Sequence, residues 1–131
     1  MLITPVQRRT FDSQGKITNS HRDYPAAVRQ AAKEEKVPLI DLHAMSSVLY
    51  EAWGAEASRR AFAPNDGTHH NNYGIYELAR CIVNGIKANK LGLGKYLVTD
   101  PAAFDPRYPD SMDGFKLPAS PQRTQIKPPG S

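Results

Sequence analysis

The sequence predicts an α/β fold with parallel strands, and three observations carry that prediction. Short apolar runs, Met1-Leu2-Ile3-Thr4 and Val37-Pro38-Leu39-Ile40, alternate with stretches of helical periodicity, the order from which a parallel sheet follows. The second run lacks polar alternation and ends in Asp41, as a parallel strand buried on both faces does. The full order is strand, long loop, helix, strand, helix, loop, helix, tail. Only two strands are expected, which leaves an unpaired edge and an incompletely covered apolar face. The chain therefore reads as part of a domain.

Taken in order, Met1–Thr4 is the end of a buried strand that opens at Pro5 into a polar loop over 5–23. Its clearest turn is Asp12-Ser13-Gln14-Gly15. So long a connection is functional or disordered, and Arg8, Arg9, His21 and Asp23 are its residues able to face a ligand. From Tyr24-Pro25 a helix begins, with proline in its first turn. Ala27, Val28, Ala31 and Ala32 form its apolar face, and Arg29, Lys33, Glu34 and Glu35 the wet one. After the second strand, Leu42, Met45, Val48, Leu49, Ala52 and Trp53 repeat at helical spacing, and Gly54 stops them. Trp53 and Met45 read as core residues. Glu56 to Phe62 adds a further helical turn before Pro64. Ile75, Leu78, Ala79, Ile82, Val83 and Ile86 then make the clearest amphipathic helix, running to about Lys90 with Asn71 or Asn72 as its N-cap. Gly92 and Gly94 break it, and Lys95-Tyr96-Leu97-Val98 docks as a last apolar contact.

Beyond that point, Pro101, Pro106, Pro109, Pro118, Pro121, Pro128 and Pro129 forbid a regular element. Phe104, Tyr108, Phe115 and Leu117 are spaced so that this tail wraps a body. The expected division is 1–98, part of an α/β domain, and 99–131, an extended proline-rich tail.

At 131 residues the chain is one domain at most, and its mean hydropathy of −0.55 averages the globular part with the polar tail. The formal charge of +4 comes from scattered lysines and arginines with no basic run interleaved with aromatics. This is a solvated basic surface and not a nucleic-acid footprint. The single cysteine, Cys81, excludes an intrachain disulfide and a cysteine-based zinc site, and its place in an apolar pattern makes it a buried, inert thiol. No stretch is long and apolar enough for a membrane span. Pro5 and Arg8-Arg9 argue against a signal peptide. The compartment is cytoplasmic if residue 1 is the natural start, and secreted or periplasmic if it is not.

The stretch Asn65-Asp66-Gly67-Thr68-His69-His70-Asn71-Asn72-Tyr73-Gly74 carries the chemistry. Asp66 and His69, three apart on a loop curling into a helix start, let a carboxylate reach the imidazole Nδ1–H. The tautomer is then fixed and Nε2 left free to take a proton. The competing account is that Asp66 caps a turn and both histidines are solvated. Neighbouring histidines at a helix start are poorly placed to share one metal ion.

With these residues in view, the chain resembles the C-terminal portion of the SGNH (GDSL-type) hydrolases, in their rhamnogalacturonan acetylesterase-like branch. The matching blocks are Leu2-Ile3-Thr4-Pro5-Val6-Gln7-Arg8-Arg9-Thr10-Phe11, His21-Arg22-Asp23-Tyr24-Pro25, Val37-Pro38-Leu39-Ile40-Asp41-Leu42-His43 and Asp66-Gly67-Thr68-His69 with Tyr73-Gly74. Phe104-Asp105-Pro106 and Leu117-Pro118-Ala119-Ser120-Pro121 extend them into the tail. The resemblance implies a flavodoxin-like three-layer α/β/α sandwich whose N-terminal half is missing here. It implies a carboxylic ester hydrolase in which His69 is the general base and Asp66 orients it, with no metal or cofactor. The implied substrates are acetylated carbohydrates or other small acyl esters, and a uronate-rich one suits Arg8, Arg9 and His21 as binding residues. A surface or carboxylate-paired role for the arginines competes with that.

The chain departs from the family pattern in holding no Gly-Asp-Ser block and no Gly-x-Asn-Asp block. The nucleophile and the oxyanion hole are therefore expected from a complementing N-terminal half. Ser46 and Ser47 fall on a helix, where hydroxyls bond back to the backbone. Ser13 and Ser20 lie in the loop, Ser20 beside His21, with no strained elbow to present either. The alternative to an esterase is a non-catalytic remnant that oligomerises through its open sheet edge and binds carbohydrate or protein.

Overall fold

The computed structural model describes residues 1–97 and 104–116. Its elements are β1 (Leu2–Ile3), α1 (Tyr24–Glu34), β2 (Leu39–Ile40), α2 (Leu42–Trp53), a 3₁₀ turn over Ala57–Ala61, α3 (Asn72–Ala88) and a second 3₁₀ turn over Gly92–Tyr96. β1 and β2 pair in parallel with Leu2 opposite Leu39 and Ile3 opposite Ile40, so this is a small α/β unit with helices packed on a parallel pair. The expected order of strand, loop, helix, strand, helix, loop and helix is met through α3. The strands are less buried than expected, because Ile3 is exposed and Leu39 only half-buried, while Ile40 is fully covered.

The carboxyl ends of the strands are fastened by polar side chains. Thr4 Oγ1 donates to Asp41 Oδ1 at 2.9 Å and accepts the His43 backbone N–H at 2.8 Å. Asp41 caps α2 by accepting from the Ala44 N–H and takes two bonds from Arg29 of α1, at 2.8 and 3.0 Å. Burial alone would raise the Asp41 carboxyl, but Arg29, the Ala44 N–H and the Thr4 hydroxyl together hold it below its ordinary value. Arg29, expected on the wet face of α1, is therefore a tie between α1 and α2. On that helix Ala27 is exposed, and the buried residues are Pro25 and Ala32, four before and three after Arg29.

The core comprises Leu49, Tyr50, Ala61, Phe62, Tyr73, Cys81 and Phe104. Its centre is aromatic: Tyr50 stacks on Trp53 with centroids 5.6 Å apart and meets Phe62 edge-on at 5.4 Å. On α2 the buried residues are His43, Ser46, Leu49 and Tyr50, while Val48 and Ala52 of the expected apolar stripe are exposed. α3 is displaced in the same sense. Tyr73, Gly74, Glu77, Cys81, Gly85 and Ile86 are buried, and Ile75 and Ala79 face outward.

The long loop after β1 is folded. Phe11 and Ile17 form an antiparallel bridge, and Asp12 Oδ1 accepts the Gln14 and Lys16 N–H groups inside the turn. Glu51 of α2 then holds the turn through Lys16 Nζ and the Ile17 N–H. Residues 104–116 lie as a strap along α3. Phe104 is buried in the core and Phe115 packs on Tyr73 and Tyr76, whereas Tyr108 and, before the strap, Tyr96 are exposed. Expectations for Val98, Pro101, Leu117–Pro121, Pro128 and Pro129 lie outside the described residues. No helix among the described residues is long and apolar enough to cross a membrane.

Candidate functional site

The Asp66–His69 loop is built on a narrow neck between the first 3₁₀ turn and α3. Phe62 and His70 form an antiparallel bridge, the Ala63 N–H donates to the His69 carbonyl, and the Asn71 N–H donates to Ala61. Asn71 finishes the neck. Its Oδ1 caps α3 at the Gly74 N–H, and its amide donates to the Arg60 and Phe62 carbonyls. Gly74 is required here, since a Cβ would overlap the Ala61 carbonyl oxygen. Asn65 turns the chain at φ 59°, in the left-handed region that asparagine tolerates.

On this frame Asp66 Oδ1 accepts the Thr68 N–H at 2.6 Å and the His69 N–H at 2.9 Å. Its Oδ2 accepts from His69 Nδ1 at 2.6 Å. The His69 and Thr68 backbone donors, then the His69 ring, hold the Asp66 carboxyl well below the usual carboxylate range. A carboxylate can only accept, so Nδ1 bears the proton and the neutral ring presents an Nε2 lone pair. The His69 side chain is 79% exposed, which leaves Nε2 open to a reactant.

Among the other residues singled out in the sequence, Arg9 is brought to this loop. Its N–H donates to the Gly67 carbonyl at 2.8 Å, tying the segment after β1 to the histidine loop on the strands' carboxyl side, where open α/β sheets bind ligands. Arg9 also lines a pocket of about 430 Å³ with Arg59, Ala63, Pro64, Asn65, Asp66 and Gly67. Arg8 is exposed. His21 is turned away to brace its own loop. Its Nε2–H donates to the Val6 carbonyl at 2.9 Å, and its ring meets His43 edge-on. Ser46 and Ser47 both donate to the His43 carbonyl. Ser20 Oγ is buried without a partner among the described residues. Cys81 is buried, and burial pushes its thiol up to about 12.

His70, solvated in the competing account, is half-buried against the core. It packs on Phe62 with centroids 4.2 Å apart and shares a 2.5 Å hydrogen bond with Tyr50 Oη. Burial pushes its imidazole down to about 4. Tyr50 Oη also donates to the Gln7 carbonyl, and Ser46 Oγ accepts the Gln7 N–H, so the segment carrying Arg9 is fixed against α2. The sequence reading missed this bracing. Its signal was a polar stripe, His43, Ser46 and Tyr50, at helical spacing on α2.

No family model matches the chain. It is 40% identical over 112 residues to the rhamnogalacturonan acetylesterase RhgT of Bacillus subtilis (strain 168), covering 76% of this chain and 48% of that protein. To a probable rhamnogalacturonan acetylesterase of the same organism, YesY, it is 35% identical over 104 residues, with the same coverages. The crystal structure of the Bacillus subtilis protein YxiM, described as an uncharacterized esterase, superposes with a TM-score of 0.64 at 33% identity. That match covers 70% of this chain and 26% of the other. The chain thus spans about half the length of the rhamnogalacturonan acetylesterases it matches.

Proposed function

Because this chain is a portion of an SGNH-type hydrolase of the rhamnogalacturonan acetylesterase-like branch, we propose that it supplies the base half of a serine-dependent esterase acting on acetylated carbohydrates. His69 Nε2 takes the proton of a serine hydroxyl as its oxygen attacks the ester carbonyl. The imidazolium then gives that proton to the departing sugar oxygen as the C–O bond breaks. Water repeats the sequence on the acetyl-serine. Asp66 holds the ring and stabilises its cation. The serine and the oxyanion donors come from a Gly-Asp-Ser block and two further blocks in the longer protein. In this reading residues 1–98 belong to a three-layer α/β/α domain, Arg9 and Arg8 meet the substrate, and His21 supports their loop.

The single observation that carries the reading is the 2.6 Å Asp66 Oδ2–His69 Nδ1 bond with an exposed ring beyond it. Acetate release from p-nitrophenyl acetate and from acetylated pectic oligosaccharide tests it, in a protein joining this chain to its Gly-Asp-Ser segment. Turnover lost in His69→Ala with the fold retained supports the reading, and turnover indifferent to His69 refutes it.

A second reading, a non-catalytic module, is favoured by one feature: the two-stranded sheet carries an exposed Ile3 on β1, as at an edge open to another body. In that case the chain binds a copy of itself or a carbohydrate and shows no turnover in either form.

A further inference from the structure

His69 and His70 are chain neighbours that face opposite ways. His70 pairs with Phe62 in an antiparallel bridge, framed by the backbone bonds from Ala63 to His69 and from Asn71 to Ala61. In such extended backbone successive side chains leave on opposite sides. Whatever holds the His70 ring inward therefore sends the His69 ring outward. Three contacts hold it: the Phe62 ring at 4.2 Å, the Tyr50 ring at 5.8 Å and the 2.5 Å bond to Tyr50 Oη. Tyr50 is itself fully buried against Trp53 and Phe62, so its hydroxyl is a fixed point.

The same oxygen holds the other side of the loop. It donates to the Gln7 carbonyl at 3.2 Å, and two residues on, the Arg9 N–H donates to the Gly67 carbonyl at 2.8 Å. A phenol has one proton to give. With that proton on Gln7 the oxygen can only accept from His70, so His70 Nε2 bears its hydrogen. The two histidines are then opposite tautomers, His69 protonated at Nδ1 and His70 at Nε2.

We infer that Tyr50 and His70 are positioning residues for the base: one hydroxyl, holding both chain segments that flank residues 66–69, sets where His69 Nε2 stands against the reacting ester. The inference rests on the reading of Asp66 and His69 as the base pair. Asp66 orients the ring within its loop, and Tyr50 places the loop. A ring of the correct tautomer displaced by about an ångström still loses rate, on the order of a hundredfold.

The test is turnover of p-nitrophenyl acetate by the protein that joins this chain to its Gly-Asp-Ser segment, in Tyr50→Phe, His70→Phe and the double variant. Both substitutions keep an aromatic ring and remove the bond, and near-ultraviolet circular dichroism reads whether the fold is kept. In Tyr50→Phe, kcat is expected to fall about tenfold to a hundredfold with KM changed by less than about twofold. The His69 ring ¹⁵N spectrum is expected to keep its protonated Nδ1, because the Asp66 bond is untouched. His70→Phe leaves the Tyr50–Gln7 bond in place and is expected to cost about tenfold in kcat; it carries the test if Tyr50→Phe does not fold. The double variant is expected to lose no more than Tyr50→Phe alone, since the two residues act as one unit. A wild-type kcat in either folded single variant, a loss confined to KM, or losses that multiply in the double variant would overturn the inference. Turnover that needs His69 but not Tyr50 removes the positioning pair and leaves the base, whereas turnover indifferent to His69 removes the base pair itself.

Discussion

Asp66 grips His69 at two points, taking its backbone N–H at 2.9 Å through one oxygen and its ring Nδ1 at 2.6 Å through the other. A third bond, from the Thr68 N–H, keeps the carboxylate from rotating. The ring is thereby oriented by its own loop and needs no distant residue to set its tautomer.

Asp66→Asn keeps the shape of the side chain but can present an amide N–H to the ring. In a protein that carries the serine, kcat is expected to fall by about three to four orders of magnitude with KM little changed. A loss of less than tenfold would mean that Asp66 does not set the histidine.

Stability should fall on acidification between pH 6.5 and about 4. Burial pushes His70 down to about 4 from 6.5, so across that window the unfolded chain holds the extra proton and stability rises with pH. His43, lowered first by burial and then by Arg29, acts in the same direction. His70 contributes about 2 kcal/mol after allowance for its partial contact with water. Asp66, lowered on folding, adds a loss only below its ordinary value of 3.8. Urea midpoints measured against pH should flatten in His70→Gln, and an unaltered slope would assign the effect elsewhere.

Gly74→Ala should cost about 2–3 kcal/mol, because its methyl group would overlap the Ala61 carbonyl oxygen and stand 3.1 Å from His70 Cδ2. Urea unfolding reads this directly. A neutral effect would show that the neck beneath the histidine loop can yield.

The strap over 104–116 depends on Arg80. Its guanidinium lies 4.2 Å from the Phe104 ring centroid and bonds Asp110 at 2.7 Å and Glu77 at 3.3 Å. Glu77 is fully buried, with Oε2 unpartnered among the described residues, and burial raises its carboxyl. Arg80→Ala leaves that acid without its cation and should cost about 3–5 kcal/mol. Adding Glu77→Gln should return part of the loss. Hydrogen exchange should quicken in 104–116 before it does in α2.

These features were unequally legible from sequence. Helix limits were clear because their stops are local: Gly54 at φ 78° ends α2 and Asn71 caps α3. The aspartate–histidine contact was clear for the same reason, being made within four residues. The buried faces were not. A search for apolar periodicity selects Val48, Ala52 and Ile75, while the molecule buries His43, Ser46 and Glu77: the first two find polar partners far along the chain in Asn19 and Gln7, and Glu77 meets Arg80 one turn on. Nothing local in the sequence announces that Gln7 meets Ser46, or that His70 turns inward to Tyr50 while His69 turns out.

The most direct measurement is the ring ¹⁵N spectrum of His69 in this chain at neutral pH. A protonated Nδ1 and a bare Nε2 are expected in the wild type, with that preference lost in Asp66→Asn. A wild-type ring protonated at Nε2, or rapidly exchanging between tautomers as in a free histidine, would contradict it.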